Sequence, residues 1–321
     1  MSPSEARLHV VSGKGGAGKT TVASALALAL AADGRRVLLI EVEERQGIAR
    51  LFDLPPLPYA ERKIAVANGG GEVRALAIDV EAALLEYFEL FYNLGIAGRT
   101  LKRMGAVEFA TTLAPGLRDV LLTGKIKETV SRRSKDGRPV YDSVVVDAPP
   151  TGRIVTFLNV TLALADLARR GPIRNQADGV IALLHSPQTQ VHLVTLLEDM
   201  PVTETLDAVA ELQAVGLPVG SVIINAATCP QLPDEAEGVE KRKLAAGLKA
   251  AGITPDPELV AGLQAEVADH VTRLRAEAAC RDRLAAADLP QLELPRLVDG
   301  ADLGGIYELA DLLAAQGVSG R

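Results

Sequence analysis

The sequence predicts an α/β protein: a mostly parallel β-sheet with helices on both faces, plus an inserted set of helices. Three observations carry this. A short β-rich run, Arg7–Ser12, passes through glycines into an Ala- and Leu-rich stretch, Lys19–Ala32, and then into a second apolar run, Arg36–Ile40. Strand, glycine turn, helix, strand is how a parallel sheet begins. Later apolar runs are short and continuous rather than alternating, as strands covered on both faces require. Finally, 321 residues with 48% hydrophobic and 23% charged side chains can bury a sizeable core without staples.

Each element has its own signal. The first helix is closed by Asp33-Gly34. Further strands are expected at Val144–Asp147, Val180–Leu184, Val222–Asn225 and about Leu292–Leu294, the last followed by a helix over Asp302–Ala315. Residues 80–133, approximately, interrupt the alternation and read as helices punctuated by Gly95, Gly105 and Pro115-Gly116. A second helical block covers roughly Glu235–Ala287. There is no internal repeat and no clean linker. One domain over 1–321, with the helical insertion inside it, fits better than two domains.

Composition excludes several classes. The net charge of −7 and a pI near 5.3 argue against a nucleic-acid-binding surface. Two distant cysteines, Cys229 and Cys280, and four scattered histidines give no disulfide framework and no metal motif. The N-terminal MSPSEARLHVVSG has no signal-peptide apolar region, and no apolar run reaches membrane-spanning length. A reducing, cytoplasmic setting is expected.

The chemistry is concentrated in GKGGAGKTT: Gly13, Lys14, Gly15, Gly16, Ala17, Gly18, Lys19, Thr20 and Thr21. Gly13-x-x-x-x-Gly18-Lys19-Thr20 is a P-loop pattern, placed between a strand and a helix as it must be. Glycines let backbone N–H groups face phosphate oxygens, and the helix N-terminus adds its dipole. Lys19 is expected on the β and γ phosphates of ATP, and the Thr20 hydroxyl on Mg²⁺. Asp147, ending an apolar strand, is the candidate Mg²⁺-linked acid. The fold expected is therefore of P-loop NTPase type.

The additional lysine, Lys14, makes the loop more specific. GKGGAGKTT resembles the deviant P-loop of the family that includes MinD, nitrogenase iron protein, the arsenite-pump ATPase ArsA and the tail-anchored-protein targeting ATPases. The resemblance implies a dimer in which Lys14 reaches the partner's nucleotide, as an arginine finger would. Asp147-Ala-Pro-Pro-Thr-Gly-Arg153 is similar to the switch II DTAPTGH of the ArsA and tail-anchor branch. Ala77–Ala82, Pro115–Asp119 and Pro201–Thr205 resemble shorter pieces of the same branch. By the same resemblance, Asn225 and Pro295 bind adenine.

The sequence departs from that branch at switch I. Where the family has DPAHSL, this chain has Glu41-Val42-Glu43-Glu44-Arg45-Gln46-Gly47-Ile48. Glu43 falls at the water-positioning aspartate, and Glu41 is an alternative. Glu43 is one methylene longer, which moves its carboxylate roughly 1.5 Å. A shift of about 1 Å costs on the order of a hundredfold in rate, so weakened hydrolysis is expected. Gln46 and Arg153 replace histidines.

Two readings follow. One is an ArsA-like ATPase whose nucleotide-dependent dimer opening and closing drives cargo or partner binding. The other is a catalytically weak ATP-binding regulatory subunit or chaperone, paired with a hydrolysis-competent paralogue. The dimer is left open as homo- or heterodimer. A MinD-like membrane organiser ranks below both, because Asp302–Arg321 is not a basic amphipathic tail. Leu84, Tyr87, Phe88 and Phe91 share a helix face that suits either a core or a hydrophobic cargo groove. Cys229 follows soon after the Asn225 strand and reads first as an ordinary small apolar residue, with a place near the nucleotide as the alternative; the clustered cysteines of arsenite activation are missing.

Overall fold

The computed structural model describes residues 6–92, 116–167, 172–230, 238–298 and 300–318. Eight strands form one sheet: β1 (Leu8–Gly13), β2 (Arg36–Glu41), β3 (Arg62–Val66), β4 (Glu72–Ala77), β5 (Ser143–Asp147), β6 (Thr189–Thr195), β7 (Val219–Ala227) and β8 (Gln291–Pro295). Their spatial order is β3-β4-β2-β5-β1-β6-β7-β8. Every neighbouring pair is parallel except β3 and β4. This is the expected mostly parallel α/β sheet of P-loop NTPase type. The carboxyl ends of β1, β2, β5, β6, β7 and β8 lie along one edge, where ligands of open α/β sheets bind.

The helices are α1 (Lys19–Ala31), α2 (Gly47–Leu51), α3 (Val80–Tyr92), α4 (Leu117–Ser131), α5 (Thr151–Leu167), α6 (Pro172–Leu184), α7 (Asp199–Ala214), α8 (Lys241–Ala250), α9 (Pro257–Ala285) and α10 (Leu303–Ala315). Helix α1, KTTVASALALALA, is buried along nearly its whole length. It is apolar all round because the sheet covers one side and α10 the other, with Ile306, Leu309 and Leu313 in the same core. Asp302 caps α10, accepting a hydrogen bond from the Gly305 N–H at 2.8 Å. On the opposite face, α3, α4, α5, α6 and α7 pack on the sheet through residues such as Leu84, Leu122, Phe157, Val180 and Leu212.

One expected strand is a helix. Val180–Leu184 ends α6, where the buried residues Ala177, Val180 and Leu184 recur at helical spacing and Ala182 is exposed. A short apolar run is ambiguous between a buried strand and one side of a helix. The strand beside β1 is instead β6, Thr189–Thr195, buried throughout although it carries Gln190 and His192. The β3–β4 pair was also not expected, and β7 is longer than Val222–Asn225. In the interrupting region, α3 and α4 form as expected. Gly95, Gly105, Pro115 and the side chains of Tyr87, Phe88 and Phe91 lie outside the described residues.

Two buried histidines tie β1 to β6. His9 and His192 stack with ring centroids 5.4 Å apart and an interplanar angle of 10°. His9 Nε2 donates to the Ala6 carbonyl at 3.1 Å, so its Nδ1 is an acceptor. His192 Nε2 donates to that Nδ1 at 3.1 Å, and His192 Nδ1 accepts from the Ser221 N–H at 3.2 Å. All four ring nitrogens are used with both rings neutral. Burial holds the His9 pKa down to about 4; burial, with the neighbouring His9, holds that of His192 down to about 3.

Candidate active site

The loop Gly13–Thr21 leaves the sheet at the end of β1 and enters α1. Gly13 has φ +154°, and a Cβ there would meet the Val194 carbonyl oxygen at 2.2 Å. No other residue lets β1 run this close to β6. Gly18, at φ +87°, is the N-cap of α1 and offers no side-chain cap; α1 has no acidic residue in its first turn. The first N–H groups of α1 are therefore open to an anion. A Cβ at Gly18 would meet Asn225 Nδ2 at 2.3 Å. That same Nδ2 donates to the Ala17 carbonyl at 2.9 Å. Asn225 thus braces the loop from β7, and its Oδ1 makes no hydrogen bond among the described residues. Pro295, the last residue of β8, is in register with Ala227, two positions beyond Asn225.

Lys19, Thr20 and Asp147 come together behind the loop. The Thr20 hydroxyl donates to Asp147 Oδ2 at 2.6 Å. Asp147 is buried at the end of β5, beside β1 and β2. Burial is the main reason its pKa rises to about 6; the Thr20 hydrogen bond and Lys19 oppose the rise, while Glu41 and Glu43 add to it. Lys19 is also buried, and that burial lowers its pKa against the pull of Asp147 and Glu43. Its Nζ donates weakly to the Lys14 carbonyl at 3.4 Å. A buried carboxylate that is costly to ionise, with a hydroxyl and an ammonium beside it, suits a bound cation and a polyanion together.

The acids of 41–44 separate into different roles. Glu41 is buried, and its two oxygens accept from the Gly47 and Ile48 N–H groups at 3.1 and 3.2 Å. It holds the start of α2. Glu43 is half-buried, with Arg45 Nη2 at 3.6 Å. Gln46 fastens this segment: its Nε2 donates to the Leu57 carbonyl at 3.2 Å and its Oε1 accepts from the Leu57 N–H at 2.7 Å. Across the site, the Ser12 hydroxyl donates to the Pro149 carbonyl at 2.7 Å, anchoring the start of the 147–153 segment.

Helix α4 reaches both segments from its first turn. Arg118 pairs with Glu44 at 3.3 Å, and Asp119 pairs with Arg153 at 3.5 Å. Lys14 extends to the other side and bonds Glu204 of α7 at 2.6 Å. None of these three contacts is readable from local sequence, because the partners lie far apart along the chain. Cys229 is exposed just beyond β7, Cys280 is buried in α9, and both are free thiols.

A glycine loop between β1 and α1, facing an acid on the adjacent parallel strand, defines a P-loop ATPase-type protein. The sequence pattern of the anion-transporting ATPase family matches residues 6–182, and the chain belongs to this family. It is similar to the ATPase BagA of Mycobacterium tuberculosis, 61% identical over 319 residues, covering 97% of this chain and 94% of that protein. It is also similar to the ATPase GET3 of Kluyveromyces lactis, 25% identical over 259 residues, covering 70% of this chain and 73% of that one. No helix among the described residues is long and apolar enough to cross a membrane.

Proposed function

We propose that the protein is a Mg²⁺-dependent ATPase whose nucleotide state opens and closes a dimer, and that this cycle drives binding of a partner or a hydrophobic cargo. The observation that carries the reading is the 2.6 Å hydrogen bond from Thr20 to Asp147, set behind a glycine loop whose helix has no side-chain cap. Phosphate oxygens take the N–H groups of Gly15–Thr21, other than that of Ala17, which donates to the Lys14 carbonyl, and the ammonium of Lys19. Thr20 and Asp147 hold Mg²⁺, which when bound neutralises phosphate charge. Asn225 and Pro295 flank the base. Lys14 meets the phosphates of a second copy, or of a paralogue. Glu43, which is half-buried where Glu41 is buried and bonded to α2, orients the attacking water as a hydrogen-bond acceptor. The protein acts in the cytoplasm, as one domain.

The length of Glu43 and its Arg45 neighbour favour a second reading, a regulatory subunit that binds ATP and turns it over poorly. The test is ATP turnover of the purified chain with and without Mg²⁺, beside Lys14→Ala, with nucleotide affinity measured in both. Turnover lost in the variant with affinity retained supports the first reading. Tight ATP binding with negligible wild-type turnover supports the second. Failure to bind ATP refutes both.

A further inference from the structure

Lys14 is held within its own chain. Its Nζ lies 2.6 Å from Glu204 Oε1, and both side chains are part-exposed. The other oxygen, Glu204 Oε2, accepts a hydrogen bond from the Thr151 hydroxyl at 3.5 Å. Thr151 is buried and is the first residue of α5, directly after Asp147–Pro150. One carboxylate therefore touches the loop lysine and the segment that follows the buried acid.

We propose that Glu204 is a latch in cis: it keeps Lys14 on its own chain until a second nucleotide-loaded copy offers a phosphate in exchange. This rests on the reading that Lys14 acts across a dimer. An ammonium has three donors and no acceptor, so it takes the best anion in reach. In the separate chain that anion is Glu204, which directs Lys14 toward α7. A triphosphate carries more charge than one carboxylate and wins the exchange. When Lys14 leaves, the Glu204 charge is left facing Thr151 alone. Lys14 and the 147–153 segment are thus coupled through a single side chain.

The size of the effect follows from the pair. An ion pair between part-exposed groups shifts an equilibrium roughly two- to fivefold. Two latches open per dimer, so releasing both shifts dimerisation by the square, about four- to twenty-five-fold.

The test measures the ATP-dependent dimer dissociation constant by sedimentation, with turnover, for wild type, Glu204→Gln, Lys14→Ala and the double variant. Glu204→Gln is expected to tighten the dimer about four- to twenty-five-fold, and adding it to Lys14→Ala is expected to change nothing. Glu204→Asp, which keeps the charge but draws it back one methylene, should tighten the dimer in the same direction; it serves if the glutamine variant does not fold. An unchanged dissociation constant in Glu204→Gln or Glu204→Asp, with turnover lost in Lys14→Ala, overturns the latch and leaves the trans role standing. So does equal tightening with and without Lys14. Normal turnover in Lys14→Ala, or no ATP-dependent dimer at all, overturns the trans role and the latch with it.

Discussion

Lowering the pH should unfold this protein through one identifiable pair of side chains. His9 and His192 are buried, stacked and neutral, and every ring nitrogen is committed. Neither ring can accept a proton without breaking a hydrogen bond. Their pKa values fall from the ordinary 6.5 to about 4 and about 3. The sign follows directly. Below pH 6.5 the unfolded chain binds protons that the folded chain refuses, so stability present above pH 6.5 is lost as pH falls toward 4. Each histidine costs about 1.4 kcal/mol per pH unit in that window, and His9 alone removes about 3 kcal/mol across it. Asp147 acts the opposite way, since its raised pKa favours the folded state as acid is added. The assay is urea unfolding from pH 7.5 to 4.5 for wild type and His9→Gln. The variant should start less stable by about 1–2 kcal/mol, from a weakened buried hydrogen-bond chain. Its curve against pH should be shallower, so the gap narrows in acid. Parallel curves over this range would refute the reasoning.

Further outcomes are expected at two residues. Glu43→Asp should raise ATP turnover at least about tenfold if the extra methylene misplaces the water, whereas Glu43→Gln should abolish it; steady-state kinetics with equal nucleotide affinity checks both. Asp147→Asn should raise the Mg²⁺ concentration for half-maximal turnover about 10- to 100-fold. It should also stabilise the ligand-free protein at pH 8 by about 2–3 kcal/mol, because a buried carboxylate with a pKa near 6 is costly when ionised. Thermal melts at pH 8 and pH 5 measure that gain, which should shrink in acid.

What was legible in the sequence was whatever is local. The β1–loop–α1–β2 unit is consecutive, and glycine spacing, apolar runs and Asp33-Gly34 each mark a boundary without reference to the rest of the chain. Asp147 was legible because three valines precede it. Strand β6 was hidden by its own polarity: His192 and Gln190 make a buried strand look like a loop, and the distant partners His9 and Ser221 explain why a histidine is tolerated there. Val180–Leu184 misled because five apolar residues carry no periodicity. The acidic run 41–44 showed its charge but not its division of labour, which depends on the fold of Gly47 and Ile48 back onto Glu41. The pairing of Lys14 with Glu204 spans 190 residues, and no local pattern encodes it.

Helix α4 has a mechanical consequence. Its first turn carries opposite charges side by side, Arg118 on Glu44 and Asp119 on Arg153, so it is loaded by both segments that border the loop. Just past its last turn, Arg132 is clamped to Glu61 at 2.6 Å and to Glu128 at 2.7 Å, and Tyr141 donates to the same Glu61 at 2.5 Å. Fifteen residues make the helix about 22 Å long. Its buried face, Leu121, Leu122, Ile126 and Val130, seats it in the same core as β5. The two segments that border the loop therefore share one point of attachment, a single helix turn, through ion pairs of opposite polarity.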